Sequence, residues 1–148
     1  MVSLNLTLNA QVVGGPQVGA SRTKQIEAYD KIDVVINPGD TNVEVDIQPG
    51  VATQVEFLLI KSSLYSQAGA DQKLTYFVVD GGTDFPAAGD GIELNDPHIY
   101  IGGALAVFGL APRTLRFTST YAADATNPAI NRAVVEILVG RRAIAPSP

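Results

Sequence analysis

Residues 42–48 read NVEVDIQ. Val43, Val45 and Ile47 alternate with Asn42, Glu44, Asp46 and Gln48, so one face is aliphatic and the other polar with a period of two. That is the pattern of a β-strand with one buried face. It is framed by turn chemistry on both sides. Asn37-Pro38-Gly39-Asp40 precedes it, with proline presetting φ and glycine free to take the left-handed conformation, and Pro49-Gly50 closes it.

The same period recurs outward along the chain. Val2, Leu4, Leu6 and Leu8 alternate with Ser3, Asn5, Thr7 and Asn9, and Gly14-Gly15-Pro16 ends that strand. A polar loop through Arg22 is expected next. Residues 24–36, KQIEAYDKIDVVI, keep Ile26, Ala28, Ile32, Val34 and Ile36 in one phase, with room for a bend near 29–31. Residues 54–62, QVEFLLIKS, are apolar on both faces at 57–60, which predicts a strand covered on both sides or placed at a subunit contact. Leu74, Tyr76 and Val78 form another alternating strand, as do Leu115, Phe117 and Ser119. Val135, Ile137 and Val139 supply the last.

Eight or nine short strands, turn signals about every 8 to 12 residues and no segment of helical period predict an all-β fold. The expected architecture is a single-domain antiparallel β-sandwich, jelly-roll-like, or a barrel. A chain of 148 residues is long enough for one domain with a real core. The domain is expected to span 1–140, with 141–148 as a flexible C-terminal tail.

The longest uncharged apolar run is 98–112, HIYIGGALAVFGLAP. It has to lie in a core or against another subunit. HIYI reads as an inner strand; ALAVFGL, beyond the Gly102-Gly103 break, reads as a second strand or a tucked loop and as the better inter-subunit contact. The expected contact residues are Ile99, Ile101, Leu105, Val107, Phe108 and Leu110.

Composition narrows the functional classes. The chain is 46% hydrophobic and 17% charged, against about 25% charged in an average soluble domain. Either part of the surface is hidden in an assembly, or the exterior is polar without charge. The net charge is −5 and the ten basic residues are spread singly apart from Arg141-Arg142, which argues against nucleic acid as a partner. No run approaches the roughly 18 apolar residues of a membrane helix, and the N-terminus has no basic start and no continuous apolar segment. A soluble protein without a visible export signal is expected.

There is no cysteine, which removes disulfides and thiolate chemistry, and His98 is the only histidine. A Ser-His-Asp or two-histidine arrangement is therefore not expected, and a hydrogen-bonded structural role suits His98 better. No phosphate-cradling or nucleophile-elbow motif occurs. Asp80, at its edge, and Asp84, Asp90, Glu93 and Asp96 are scattered along the long Gly/Pro-rich loop 81–97, and Asp84, Asp90 and Glu93 are the weak alternative for a calcium site. Acids beside glycine are also ordinary turn chemistry. No cofactor and no enzymatic activity are expected.

VEFLLIKSS, LTYFVVDGG, PHIYIGGALAVFGLAPRTLRFTST and VEILVGR, within residues 55–140, resemble in style and order the small β-sandwich structural proteins of tailed bacteriophages, in particular head cement or decoration proteins. The resemblance implies a homo-oligomer, commonly a trimer, that binds the major capsid protein on the virion surface after assembly in the host cytoplasm. It implies extended arms that become ordered on binding, for which the N-terminal strand and Arg141, Arg142 and Ile144 of the tail are the candidates. The other classes are a tail-tube, baseplate or fibre component, and a carbohydrate- or calcium-binding sandwich module using loop 81–97.

Overall fold

The computed structural model describes residues 2–48, 53–67 and 72–143. The strands are β1 (Val2–Gln11), β2 (Gln17–Ile26), β3 (Ala28–Ile36), β4 (Val43–Asp46), β5 (Thr53–Ser62), β6 (Leu74–Asp80), β7 (Thr83–Phe85), β8 (Ile92–Glu93), β9 (His98–Ile101), β10 (Thr114–Ser119) and β11 (Ala133–Ala143), with a 3-10 helix at Gly102–Phe108. One sheet has the order β4-β10-β6-β7, with β8 also on β6. A second has the order β3-β11-β5-β9, and β1 and β2 form a separate two-stranded sheet. All pairings are antiparallel.

The two larger sheets pack face to face as an all-β sandwich, and no barrel closes. The alternating positions expected to be buried meet in its core. Ile36, Leu58, Ile60, Val135, Ile137 and Val139 come from one sheet; Val45, Leu74, Tyr76, Val78, Leu115 and Phe117 come from the other. Each inner face is aliphatic or aromatic at every second residue, so the pleat places them all in one layer about 10 Å thick.

Four expectations are corrected. The supposed polar loop through Arg22 is β2, paired with β1 over ten registered positions from Val2↔Ile26 to Gln11↔Gln17. The segment 24–36 is two strands broken at Glu27, whose amide donates to the Arg141 carbonyl at 2.8 Å. ALAVFGL is largely the 3-10 helix rather than a strand, bracketed by left-handed glycines at Gly102 (φ 56°) and Gly109 (φ 65°). Finally, β11 runs through Ala143, past the expected domain end at 140. Arg141 is buried at 7% exposure, donating to the Ile47 carbonyl at 2.9 Å and to Asp30 at 2.6 Å.

Loop 81–97 is likewise built into the sandwich. β7 and β8 both add to β6, Phe85 packs on the core, and Leu94 is fully buried with its amide bonded to the Leu74 carbonyl at 2.9 Å. Gly91, at φ 102°, is required where this loop passes β6, since a Cβ there would lie 2.8 Å from the Tyr76 carbonyl oxygen.

Candidate assembly surface

The β1–β2 hairpin has two unlike faces. Away from the body it carries Ser3, Asn5, Thr7, Asn9 and Gln11 opposite Gln25, Thr23, Ser21, Gly19 and Gln17. Two of those pairs are tied by side-chain hydrogen bonds of 2.9 Å, Gln25 to Ser3 and Thr23 to Asn5, and Gln17 donates diagonally to Asn9 at 2.9 Å. The opposite face holds Val2, Leu4, Leu6, Leu8 and Ala10 on β1, with Ile26, Lys24, Arg22, Ala20 and Val18 on β2. One ladder satisfies polar groups in water; the other is a stripe for packing.

Only the root of that stripe is packed. Leu4, Ile26 and Phe57 form a small buried cluster against Leu6, Leu59, Ile101 and Leu138, on the outer face of the β3-β11-β5-β9 sheet. Gly140 lets the hairpin approach so closely: a Cβ there would meet Ile26 Cδ1 at 3.1 Å. A register shift in the β5–β11 ladder next to Gly140 leaves Glu56 out of the pairing. Glu56 clamps the root, taking Lys24 of β2 at 2.9 Å and Arg142 of β11 at 3.1 Å.

Beyond the root the apolar stripe continues without cover. Leu8, Val12, Val18 and Val13 are 48%, 62%, 69% and 98% exposed. The hairpin root lies beside Tyr29 and Leu138 on the β3 side, and Leu6, Leu8 and Ala20 farther out lie beside Ile101–Gly103 on the β9 side. A gap of about 470 Å³ opens there between Leu6, Leu8, Ala20 and Lys24 and the backbone of 101–103. A two-stranded ribbon is marginal in water on its own, so an apolar face continued past its support is a surface made for a partner.

The expected contact residues in 98–112 fall into three groups. Leu105 and Phe108 are buried in the chain's own core, Phe108 lying 4.7 Å from the Tyr100 ring and 5.6 Å from the Phe85 ring; this corrects their assignment to a subunit contact. Ile101 and Leu110 are half-buried, against the hairpin root and the main core respectively. Ile99 and Val107 are exposed, at 37% and 61%. Of the expected tail arm, Arg141 and Arg142 belong to the sandwich, and Ile144 lies outside the described residues. The arm-like element is the N-terminal strand with the partner β2 that sequence reasoning took for a loop. Its signals were present: Val18, Ala20, Arg22, Lys24 and Ile26 keep one phase after Gly14-Gly15-Pro16, and no acid occurs before Glu27.

The acids of loop 81–97 do not converge. Asp84 holds Arg116 at 2.7 Å, while Arg116 also covers the Phe77 ring. Glu93 pairs with Lys73. Asp90 stands apart on an exposed bend. Among the described residues no group of three or more His, Cys, Asp or Glu is placed to hold a metal ion, and no helix is long and apolar enough to cross a membrane.

His98 sits in a hydrogen-bonded trio. The fully buried Tyr76 hydroxyl lies 2.7 Å from His98 Nδ1 and 3.0 Å from the Tyr100 hydroxyl. Burial pushes the Tyr76 phenol far above its ordinary value, because the phenolate would lose hydration; the hydrogen bond to Tyr100 adds to this. Burial also lowers His98, while Asp96 opposes that in part. A neutral imidazole and a neutral phenol suit a structural knot between the two sheets.

No protein-family model, curated protein or solved structure matches this chain.

Proposed function

We propose that this chain is a non-enzymatic structural subunit, in the concrete form of a decoration protein that oligomerises on a phage head, binds the major capsid protein and stabilises the shell. A trimer is the favoured state. The observation that carries the reading is the hairpin: a rigid sandwich presents a ribbon whose packing face runs on, uncovered, past the body. Such a ribbon gains order and buries apolar area only when something lies against it. The ordinary charge pairing of the loop acids and the structural tie of His98 are consistent with a body that serves as scaffold.

The test is reconstitution. Purified chain is sized in solution by light scattering and then mixed with undecorated phage heads, which are pelleted and probed for bound chain. A species of three times the 15.5 kDa chain mass, saturating binding to heads and a raised head melting temperature are the expected results. Binding to tails instead, or to neither particle, would overturn the head-decoration reading.

A further inference from the structure

Resting on the assembly reading above, we infer that the distal half of the hairpin lies on a second copy of this chain. It occupies the groove on the β3 side of the sheet lined by Val2, Ile26, Tyr29 and Leu138. This groove encloses about 240 Å³. It is open, with Val2 40% and Tyr29 54% exposed, and Ser3 and Asn5 add polar groups beside its apolar lining. It continues the same cluster on which the hairpin root already packs, so a neighbouring stripe of Leu8, Val18 and Val12 extends an existing apolar contact rather than founding a new one.

Charge selects the second copy as occupant. Residues 2–26 hold Arg22 and Lys24 and no acid, a charge of +2, so the rest of the chain carries −7 within the net −5. A basic arm on an acidic body attracts its own kind in head-to-tail orientation and disfavours arm-to-arm pairing. Arg22 on the stripe and Glu27 beside the groove form no ion pair among the described residues, which leaves one unpaired charge of each sign on the two surfaces.

Geometry prevents a chain from filling its own groove. Groove and tip lie at opposite ends of a ribbon that rises about 30 Å over the nine steps from Ile26 to Gln17. The tip leaves over β9 and the groove opens toward β3. Contacts of this kind are heterologous: each copy gives an arm to the next and receives one, and the set is a ring when the rotation between copies closes.

The absence of native cysteine makes the test direct. Val13→Cys and Tyr29→Cys are made in separate chains, mixed, and treated with a short thiol-to-thiol cross-linker. A covalent pair is expected in the mixture, above the level given by either variant alone. Val13→Asp, at a 98% exposed position, should convert the oligomer to monomer without changing the melting temperature of the sandwich. An oligomer unaffected by Val13→Asp, or no cross-link in the mixture, overturns the inference. If the chain is monomeric yet binds heads through an arm sensitive to Val13→Asp, the arm belongs to the shell: the inference falls and the decoration role stands. A monomer that never binds heads removes both.

Discussion

The Tyr76 hydroxyl has one proton and two lone pairs, and it is held between His98 Nδ1 and the Tyr100 hydroxyl inside the sandwich. The arrangement closes when the Tyr76 hydroxyl gives its proton to one neighbour and accepts from the other, the two roles following from the imidazole tautomer. Tyr76→Phe keeps the ring contact with Phe117 at 5.7 Å but strands two partners, so a loss of about 1–3 kcal/mol is expected in urea unfolding. Protonated His98 carries a hydrogen on both ring nitrogens, so its Nδ1 then only donates to the Tyr76 hydroxyl. Because burial lowers His98 from its ordinary 6.5, the unfolded chain takes up the proton first. Stability is therefore full above pH 6.5 and falls as pH drops from there through the folded-state value. Asp124 and Glu136 are held below 3.8 and 4.5, chiefly by hydrogen bonds from Thr126 and Lys61, and their contributions are lost only at lower pH. A urea midpoint that declines between pH 7 and 5 in the parent chain and is flat in His98→Gln is the expected outcome. A decline of equal size in both would assign the effect to other groups.

At the scale of elements, the 3-10 helix separates two roles that the sequence of the run 98–112 merges. Phe108 and Leu105 stand three residues apart, which in a 3-10 helix places them on one face, turned inward. Phe108→Ala should cost about 3–5 kcal/mol of folding stability, the usual penalty for an emptied aromatic site. Val107→Asp, on the exposed face, should shift it by no more than about 0.5 kcal/mol. Thermal unfolding of the two variants side by side checks both, and a large loss in Val107→Asp would contradict the facing. The i, i+3 pair was the signal for this helix, but the run lacks polar residues to mark its outer side, so its period could not be read. The strands that sequence made plain, such as β4 and β6, have inner positions filled by Val, Ile, Leu or Tyr. β2 was hidden because between Val18 and Ile26 its inward positions are Ala20, Arg22 and Lys24, whose letters do not read as an apolar phase, although Lys24 is half-buried. β7 and β8 are too short for any period, and their place comes from Phe85 and Leu94 locking onto the core. The end of β11 escaped notice because Arg141 and Arg142 look like a solvated tail until Asp30 and Glu56 are brought to them across the sheet.

In the whole molecule the two apolar clusters are distinct. The large one lies between the sheets; the small one, Leu4, Ile26 and Phe57, joins the hairpin to the outside of the body. Phe57 and Gly140 belong to strands whose other faces line the main core, so the root shares the sandwich's rigidity. Among the described residues, the ribbon beyond Leu8 has its own ladder and the Gln17–Asn9 side-chain hydrogen bond to hold it. Local opening free energy should therefore fall steeply along the hairpin, from the global value near Ile26 to almost nothing at the tip. In the separated chain, amide hydrogens of 8–20 should exchange with deuterium orders of magnitude faster than those of β5, β10 and β11. On assembly the same amides should slow sharply while the sandwich amides change little, because contact with a partner adds the cover that the ribbon lacks. Uniform slowing over the whole chain would instead mean that the partner grips the sandwich itself. Tip amides already protected in the monomer would mean that the ribbon folds back on its own body and is not an arm.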